Sequence, residues 1–140
     1  MFSKTAQYTF RFLIFMSKDP DQLYSASHVH EETKIPYKYL TMLMTKLAKS
    51  KILKVTRGRN GGFTLNHSLS EISLADILDA ISENTCSHCA LGDKKCEEYN
   101  PCPLHETYAP PKKALEEMLA NTTLALLDPS LLLETEKIAI

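Results

Sequence analysis

Two β-prone runs, Ile52-Leu53-Lys54-Val55-Thr56 and Phe63-Thr64-Leu65, are separated by Arg57-Gly58-Arg59-Asn60-Gly61-Gly62. No other feature constrains the fold as strongly. Asn60-Gly61 between short strands predicts a hairpin, because both turn residues must tolerate positive φ. What precedes the hairpin has a helical period. Ala6, Phe10, Leu13 and Ile14 recur at i, i+4, i+7 and i+8, so residues 3–18 read as an amphipathic helix that Asp19-Pro20-Asp21 ends. Ser25 can cap a second helix running to about Thr33, with Ala26 and Val29 inward. Ile35-Pro36 starts a third, with proline in its first turn and Tyr39, Leu40, Leu43, Met44 and Leu47 as its apolar stripe. Two helices joined by a short turn and followed at once by a hairpin predict a winged helix-turn-helix.

Downstream, Ser73-x-x-Asp76 opens a short helix to about Ser82, with Leu74, Ile77, Leu78 and Ile81 on one face. Residues 84–105 have little periodicity and contain Gly92, Pro101 and Pro103, so they read as a loop. From about Pro110 a long helix places Leu115, Met118, Leu119, Thr122, Ala125 and Leu126 on one face, and Asp128-Pro129 ends it. An apolar stripe with no evident cover within the chain reads as a dimer seam, with Leu115, Met118, Leu119, Thr122 and Leu126 as its members. The expected fold is mainly α: a winged helix-turn-helix with a two-stranded wing, plus a long C-terminal dimerisation helix. Its expected divisions are a DNA-binding domain over 1–82, a cysteine-rich loop over 83–109, a dimerisation helix over 110–127 and a tail over 128–140.

Charge supports a polyanion partner for the first half. Residues 1–67 hold eleven of the 16 Lys/Arg and four of the 17 Asp/Glu, a net +7, and the remainder a net −8. Lys38, Lys46, Lys49, Lys54, Arg57 and Arg59 are placed to neutralise phosphates, and Pro36 to Thr41 to reach base edges in a major groove. The candidate contacts with double-stranded DNA are Ser27, His28, Pro36, Tyr37, Lys38, Tyr39, Thr41, Lys46, Arg57, Arg59, Asn60 and Gly61. The start Met1-Phe2-Ser3-Lys4-Thr5 has no secretory apolar region, and Phe10 to Met16 is interrupted by Arg11 and too short for a bilayer. A cytoplasmic protein without a membrane partner is expected, with its thiols reduced.

Those thiols are grouped as Cys86-x2-Cys89-x6-Cys96-x5-Cys102, with His105 after them. In a reducing compartment such a cluster is a metal site or a redox switch before it is a disulfide framework. Cys86, Cys89, Cys96 and Cys102 could supply four thiolates. Cys89, Cys96 and Cys102 with His105 could supply three and an imidazole. Either set suits an iron–sulfur cluster, and zinc accepts both. An enzyme is not expected: the chain has no Gly-rich phosphate loop, no Ser-His-Asp grouping and no βαβ setting for a Cys-x-x-Cys exchange pair.

Tyr39-Leu40, the wing Arg57-Gly58-x-x-Gly61-Gly62-Phe63-x-Leu65, the helix start Ile72-x-Leu74-x-Asp76-Ile77, and spaced cysteines before a long helix together resemble one bacterial family. It is the winged-helix regulator family that includes the iron–sulfur cluster regulator IscR, the nitric-oxide-responsive repressor NsrR and the cysteine metabolism repressor CymR. The likeness runs from about residue 1 to residue 127. It implies a homodimeric transcriptional regulator on a palindromic operator, a repressor or in some members an activator, with its two reading helices about 34 Å apart. It also implies that operator affinity follows a [2Fe–2S] or [4Fe–4S] cluster held by Cys89, Cys96 and Cys102. His105 falls where a histidine ligand occurs in the [2Fe–2S] regulator. Cys89-x6-Cys96 is one residue longer than the commonest gap, and Cys86 is additional. The remaining alternatives are a structural zinc site or a bare thiol switch.

Overall fold

The computed structural model describes residues 2–84, 88–92, 94 and 102–132. Cys86, Cys96 and the segment 133–140 lie outside them.

The first helix, α1 (Lys4–Met16), starts where Ser3 accepts the Ala6 amide at 3.0 Å and stops at Ser17, whose hydroxyl donates to the Ile14 carbonyl at 2.6 Å. Its buried face is Ala6, Thr9, Phe12, Leu13, Phe15 and Met16. The expected stripe of Ala6, Phe10, Leu13 and Ile14 is therefore rotated, and Phe10 and Ile14 are only half-buried. The helix carries so many apolar side chains that periodicity admits more than one stripe, and the aromatic rings decide it. Phe12 fills the core, while Phe10 packs edge-on against Phe2 at 5.4 Å. Thr9 is buried without penalty because its hydroxyl donates to the Thr5 carbonyl.

The second and third helices follow the expected plan: α2 (Ala26–Thr33), capped by Ser25, and α3 (Tyr37–Lys49). Pro36 is the residue before α3 rather than part of its first turn. Leu40, Leu43, Met44 and Leu47 are fully buried, so α3 shows its other face to solvent. The strands β1 (Leu53–Thr56) and β2 (Gly62–Leu65) pair antiparallel, Leu53 with Leu65 through Thr56 with Gly62. Tyr24, just before α2, adds a single bridge to Phe63 with bonds of 2.8 and 2.7 Å, which fastens the wing to the helix-turn-helix.

A full capping box opens α4 (Leu74–Ala80): Ser73 accepts the Asp76 amide and the Asp76 carboxylate accepts the Ser73 amide. The last long helix, α5 (His105–Asn121), departs from expectation at both ends. It begins at His105 rather than Pro110, running through Pro110 and Pro111, and it ends at Asn121 rather than near residue 127. Both prolines are exposed, and neither offers an amide to the carbonyls of Glu106 and Thr107. After Asn121 the chain extends, bridges Ser73 through Thr123, and forms a short 3₁₀ turn, Leu124–Leu126. Leu119 and Leu124 are both 1 % exposed and sit in one core with Ala6, Phe12, Leu40, Leu53 and Ile77. The last helix thus meets the winged domain's core through Leu119 near its end.

Candidate nucleic-acid interface and cysteine segment

The exposed side of α3 begins with Pro36, Tyr37 and Lys38, where Tyr37 is 47 % exposed. Thr41 follows, half-buried, its hydroxyl donating to the Lys38 carbonyl at 2.9 Å. Lys46 and Lys49 stand exposed in the last turn. Ser27 is exposed on α2. The start of α3 is thus polar and its last turn cationic.

Two of the expected contacts, both half-buried, also take part in packing. The Tyr39 hydroxyl pairs with the Thr5 hydroxyl, and its ring lies edge-on to Tyr8 at 5.5 Å. Tyr39 therefore ties α3 to α1. The His28 ring is stacked near-parallel on Tyr24 at 5.9 Å and lies 5.9 Å from Phe15. It thereby joins α2 to the aromatic packing of Phe15 and Tyr24. Burial raises the Tyr24 phenol above its usual pKa, with Asp19 adding to the rise and a hydrogen bond to the Asp19 carbonyl opposing it.

Sequence reasoning passed over two residues. Met42 is 44 % exposed on α3, outside the buried stripe, and that departure from period was its signal. His30 Nδ1 lies 2.6 Å from the Ile35 carbonyl and so donates to it, closing the turn between α2 and α3. Nothing in local pattern marks such a bond.

The wing turn is not the expected one. Asn60 and Gly61 do not take positive φ; Gly58 does, at 117°. The Gly61 amide donates to the Gly58 carbonyl at 3.0 Å, with Arg59 and Asn60 between them at the tip. Gly61 is required for space instead: a Cβ there would lie 2.1 Å from the Thr56 carbonyl oxygen. Arg57, Arg59 and Asn60 are exposed, and Gly61 is half-buried.

Of the cysteine segment, Cys89, Cys102 and His105 are described, and all three are half-buried. Cys89 sits in a tight turn: its amide donates to the Lys94 carbonyl at 2.7 Å, and its carbonyl accepts from Gly92 at 3.2 Å. Its sulfur accepts the Leu91 amide at 3.5 Å, a contact that favours a thiolate. The Cys102 carbonyl accepts the His105 amide at 3.0 Å at the start of α5. The donor chemistry thus fits thiolate ligation of iron or zinc. Among the described residues, no group of three or more His, Cys, Asp or Glu is gathered closely enough to hold a metal. Cys86 and Cys96, expected as ligands, lie outside the described residues.

On the expected dimer face, Leu115 is half-buried against the core and Leu119 is covered by its own chain, so Leu119 cannot belong to a seam. Met118 is 42 % and Leu126 70 % exposed, and Thr122 is half-buried; Leu126 lies beyond the helix, in the 3₁₀ turn. Among the described residues no helix is long and apolar enough to cross a membrane.

Comparison with known proteins agrees with this architecture. The chain is 27% identical over 127 residues to a protein of Aquifex aeolicus named as an HTH-type transcriptional regulator, covering 89% of this chain and 88% of that one. It is 27% identical over 97 residues to the HTH-type transcriptional regulator IscR of Yersinia pestis, covering 69% of this chain and 59% of that protein. In fold it matches CymR, the global cysteine regulator of B. subtilis, with a TM-score of 0.76 at 21% identity over 90% of this chain and 94% of that one. It matches the T. potens IscR structure with a TM-score of 0.70 at 20% identity over 100% and 91%. The family model described as an iron-dependent transcriptional regulator, Rrf2, matches residues 2–128. With its winged helix-turn-helix, the chain belongs to the Rrf2 family of DNA-binding transcriptional regulators and is not an enzyme.

Proposed function

We propose that the chain acts in the cytoplasm as a homodimeric repressor on a palindromic operator, its affinity set by an iron–sulfur cluster. Cys89, Cys96 and Cys102 are the core ligands in this reading, with His105 or Cys86 as the fourth. The observation that carries it is the junction at Cys102 and His105. A ligating cysteine and a candidate imidazole bracket the start of α5, and the far end of that helix is bonded into the winged domain through Leu74 N–H to Thr122 and Leu124 N–H to Ile72, at 2.9 and 3.0 Å. When bound, the cluster supplies a centre that changes with oxidation or with iron and sulfide supply. The chain's own part is mechanical. Cys102 and His105 hold the first turn of α5, and the rest of α5 packs on α4, which shares the core with α3. A coupling of about 1–3 kcal/mol along that path changes operator affinity about 5–150-fold.

On the DNA side, Arg57 and Arg59 at the wing tip serve the minor groove or its phosphates, and Tyr37, Lys38 and Thr41 face the major groove. Met42 joins them as an apolar contact suited to a thymine methyl group. The dimer seam in this reading uses Met118, Thr122 and Leu126, with Leu115 at its edge.

The test is chemical analysis of protein purified under strict anaerobiosis, joined to operator binding before and after metal removal. A brown protein with iron and sulfide in each chain, whose affinity changes on cluster loss, is expected. Zinc without colour moves the site to a structural role. Neither metal, with affinity altered by thiol oxidation alone, leaves a bare thiol switch. Unchanged affinity when all four cysteines are replaced by serine removes the sensing function.

A further inference from the structure

Among the described residues, three other than glycine take the left-handed backbone conformation: Lys34 at φ 59°, Lys51 at φ 66° and Ser82 at φ 59°. Glycine, then asparagine, fits that region with least strain, and lysine has no side-chain bond to its own backbone that would favour it. Both lysines follow helices. Lys34 closes α2, its amide donating to the His30 carbonyl at 2.9 Å, and Lys51 follows the end of α3, its amide donating to the Ala48 carbonyl at 3.1 Å. A cation near a helix C-terminus is favoured at both places.

What separates them is position. Lys34 stands in the turn between α2 and α3, pinned by the fully buried Ile35 behind it and followed at once by the exposed Pro36, Tyr37 and Lys38. That is the reading end of α3. Lys51 stands at the opposite end of α3, where its carbonyl accepts the Asn66 amide side chain at 2.9 Å. Lys34 is exposed, and no hydrogen bond or ion pair among the described residues engages its ammonium, although the exposed Glu31 and Glu32 are close in the chain.

We propose that Lys34 is a DNA-backbone contact: the left-handed turn aims its ammonium at a phosphate beside the groove that the start of α3 enters. Lys51 shares the backbone but not the place, and makes no such contact. A residue that holds an unfavourable conformation at a binding edge, where glycine would do the structural work, is kept for its side chain.

The test uses the full chain, a fluorescent mixed-sequence DNA duplex and a potassium chloride series read by anisotropy, with thermal melting alongside. Lys34→Gly lowers the slope of log affinity against log salt by about 0.9 per chain, the signature of one lost phosphate contact. Its melting temperature stays level or rises, because glycine suits the turn. Lys34→Asn gives the same slope, Lys34→Arg keeps the original one, and Lys51→Gly keeps it too. An unchanged slope in the two neutral Lys34 variants overturns the assignment. Equal losses at Lys34 and Lys51 also overturn it, since the charge would then act through the general field and not at one phosphate.

Discussion

Gly62→Ala tests how the wing is held. Gly62 is the first residue of β2, and a Cβ built there would lie 2.6 Å from the carbonyl oxygen of Tyr24 and 2.9 Å from its carbonyl carbon. Both atoms are backbone, so no side-chain rotation relieves the contact. That same oxygen accepts the Phe63 amide at 2.7 Å, and the Phe63 carbonyl accepts the Tyr24 amide at 2.8 Å. Moving Tyr24 away loosens both bonds, each with a net worth of about 0.5–1.5 kcal/mol. The expected loss is about 1–3 kcal/mol, or a fall of roughly 4–12 °C in melting temperature. Gly92→Ala is the control, since its Cβ meets nothing within 4 Å and its φ is not positive. Its effect should stay within about 0.5 kcal/mol. Amide hydrogen exchange supplies the residue-level readout: the Tyr24 and Phe63 amides should lose protection before those of the β1–β2 pairing. A Gly62→Ala protein that melts with the Gly92→Ala control and keeps both amides protected would show that the wing is not fastened through Tyr24.

The remaining predictions concern the wing tip, a buried phenol and a cap. Arg57→Ala and Arg59→Ala together should lower the salt slope of duplex binding by about 1.8 per chain with little change in melting, because both side chains are exposed. Tyr24 keeps its proton in the folded state at a pH where the unfolded chain, near 10.0, loses it. The unfolded state then binds fewer protons, so stability falls as pH rises above about 10, and a urea midpoint that drops between about pH 9 and about pH 11 should drop less in Tyr24→Phe. Ser73→Ala removes the acceptor for the Asp76 amide and should cost about 1 kcal/mol, seen as a lower urea midpoint with unchanged slope.

Local chemistry made the reading domain legible. Ser25 and Ser73 cap helices where their side chains predict, and the stripe Leu40, Leu43, Met44 and Leu47 is buried as a unit. What sequence did not show were features decided by neighbours distant in sequence. Tyr39 belongs to the α3 stripe by period, yet its hydroxyl finds Thr5 on α1, and His28 is drawn into rings supplied by Phe15 and Tyr24. Asn60-Gly61 carries a strong turn signal, but a longer connection moved the positive φ to Gly58 and left Gly61 a steric duty. The prolines misplaced the start of α5 for a related reason. A proline interrupts the hydrogen-bond ladder, but packing can hold a helix across the gap, and Leu115 and Leu119 supply that packing beyond the prolines.

That helix therefore has two halves of unequal strength. From Lys112 to Asn121 its inner face carries Leu115 and Leu119, and its end is fixed by the backbone bonds that join Thr122 to Leu74 and Ile72 to Leu124. From His105 to Ala109 no residue is fully buried, and Pro110 and Pro111 offer no amide to the carbonyls of Glu106 and Thr107. An interior proline costs a helix about 3 kcal/mol, and that penalty falls on the half that adjoins Cys102. The strong half belongs to the core that also seats α3, while the weak half carries His105. In the proposed reading, forces applied through Cys102 and His105 meet the weak half first, so order gained there adds to a helix whose other end is already anchored at Ile72 and Leu74. The sequence places its helix-breaking residues at the boundary between what must stay folded and what a ligand could organise.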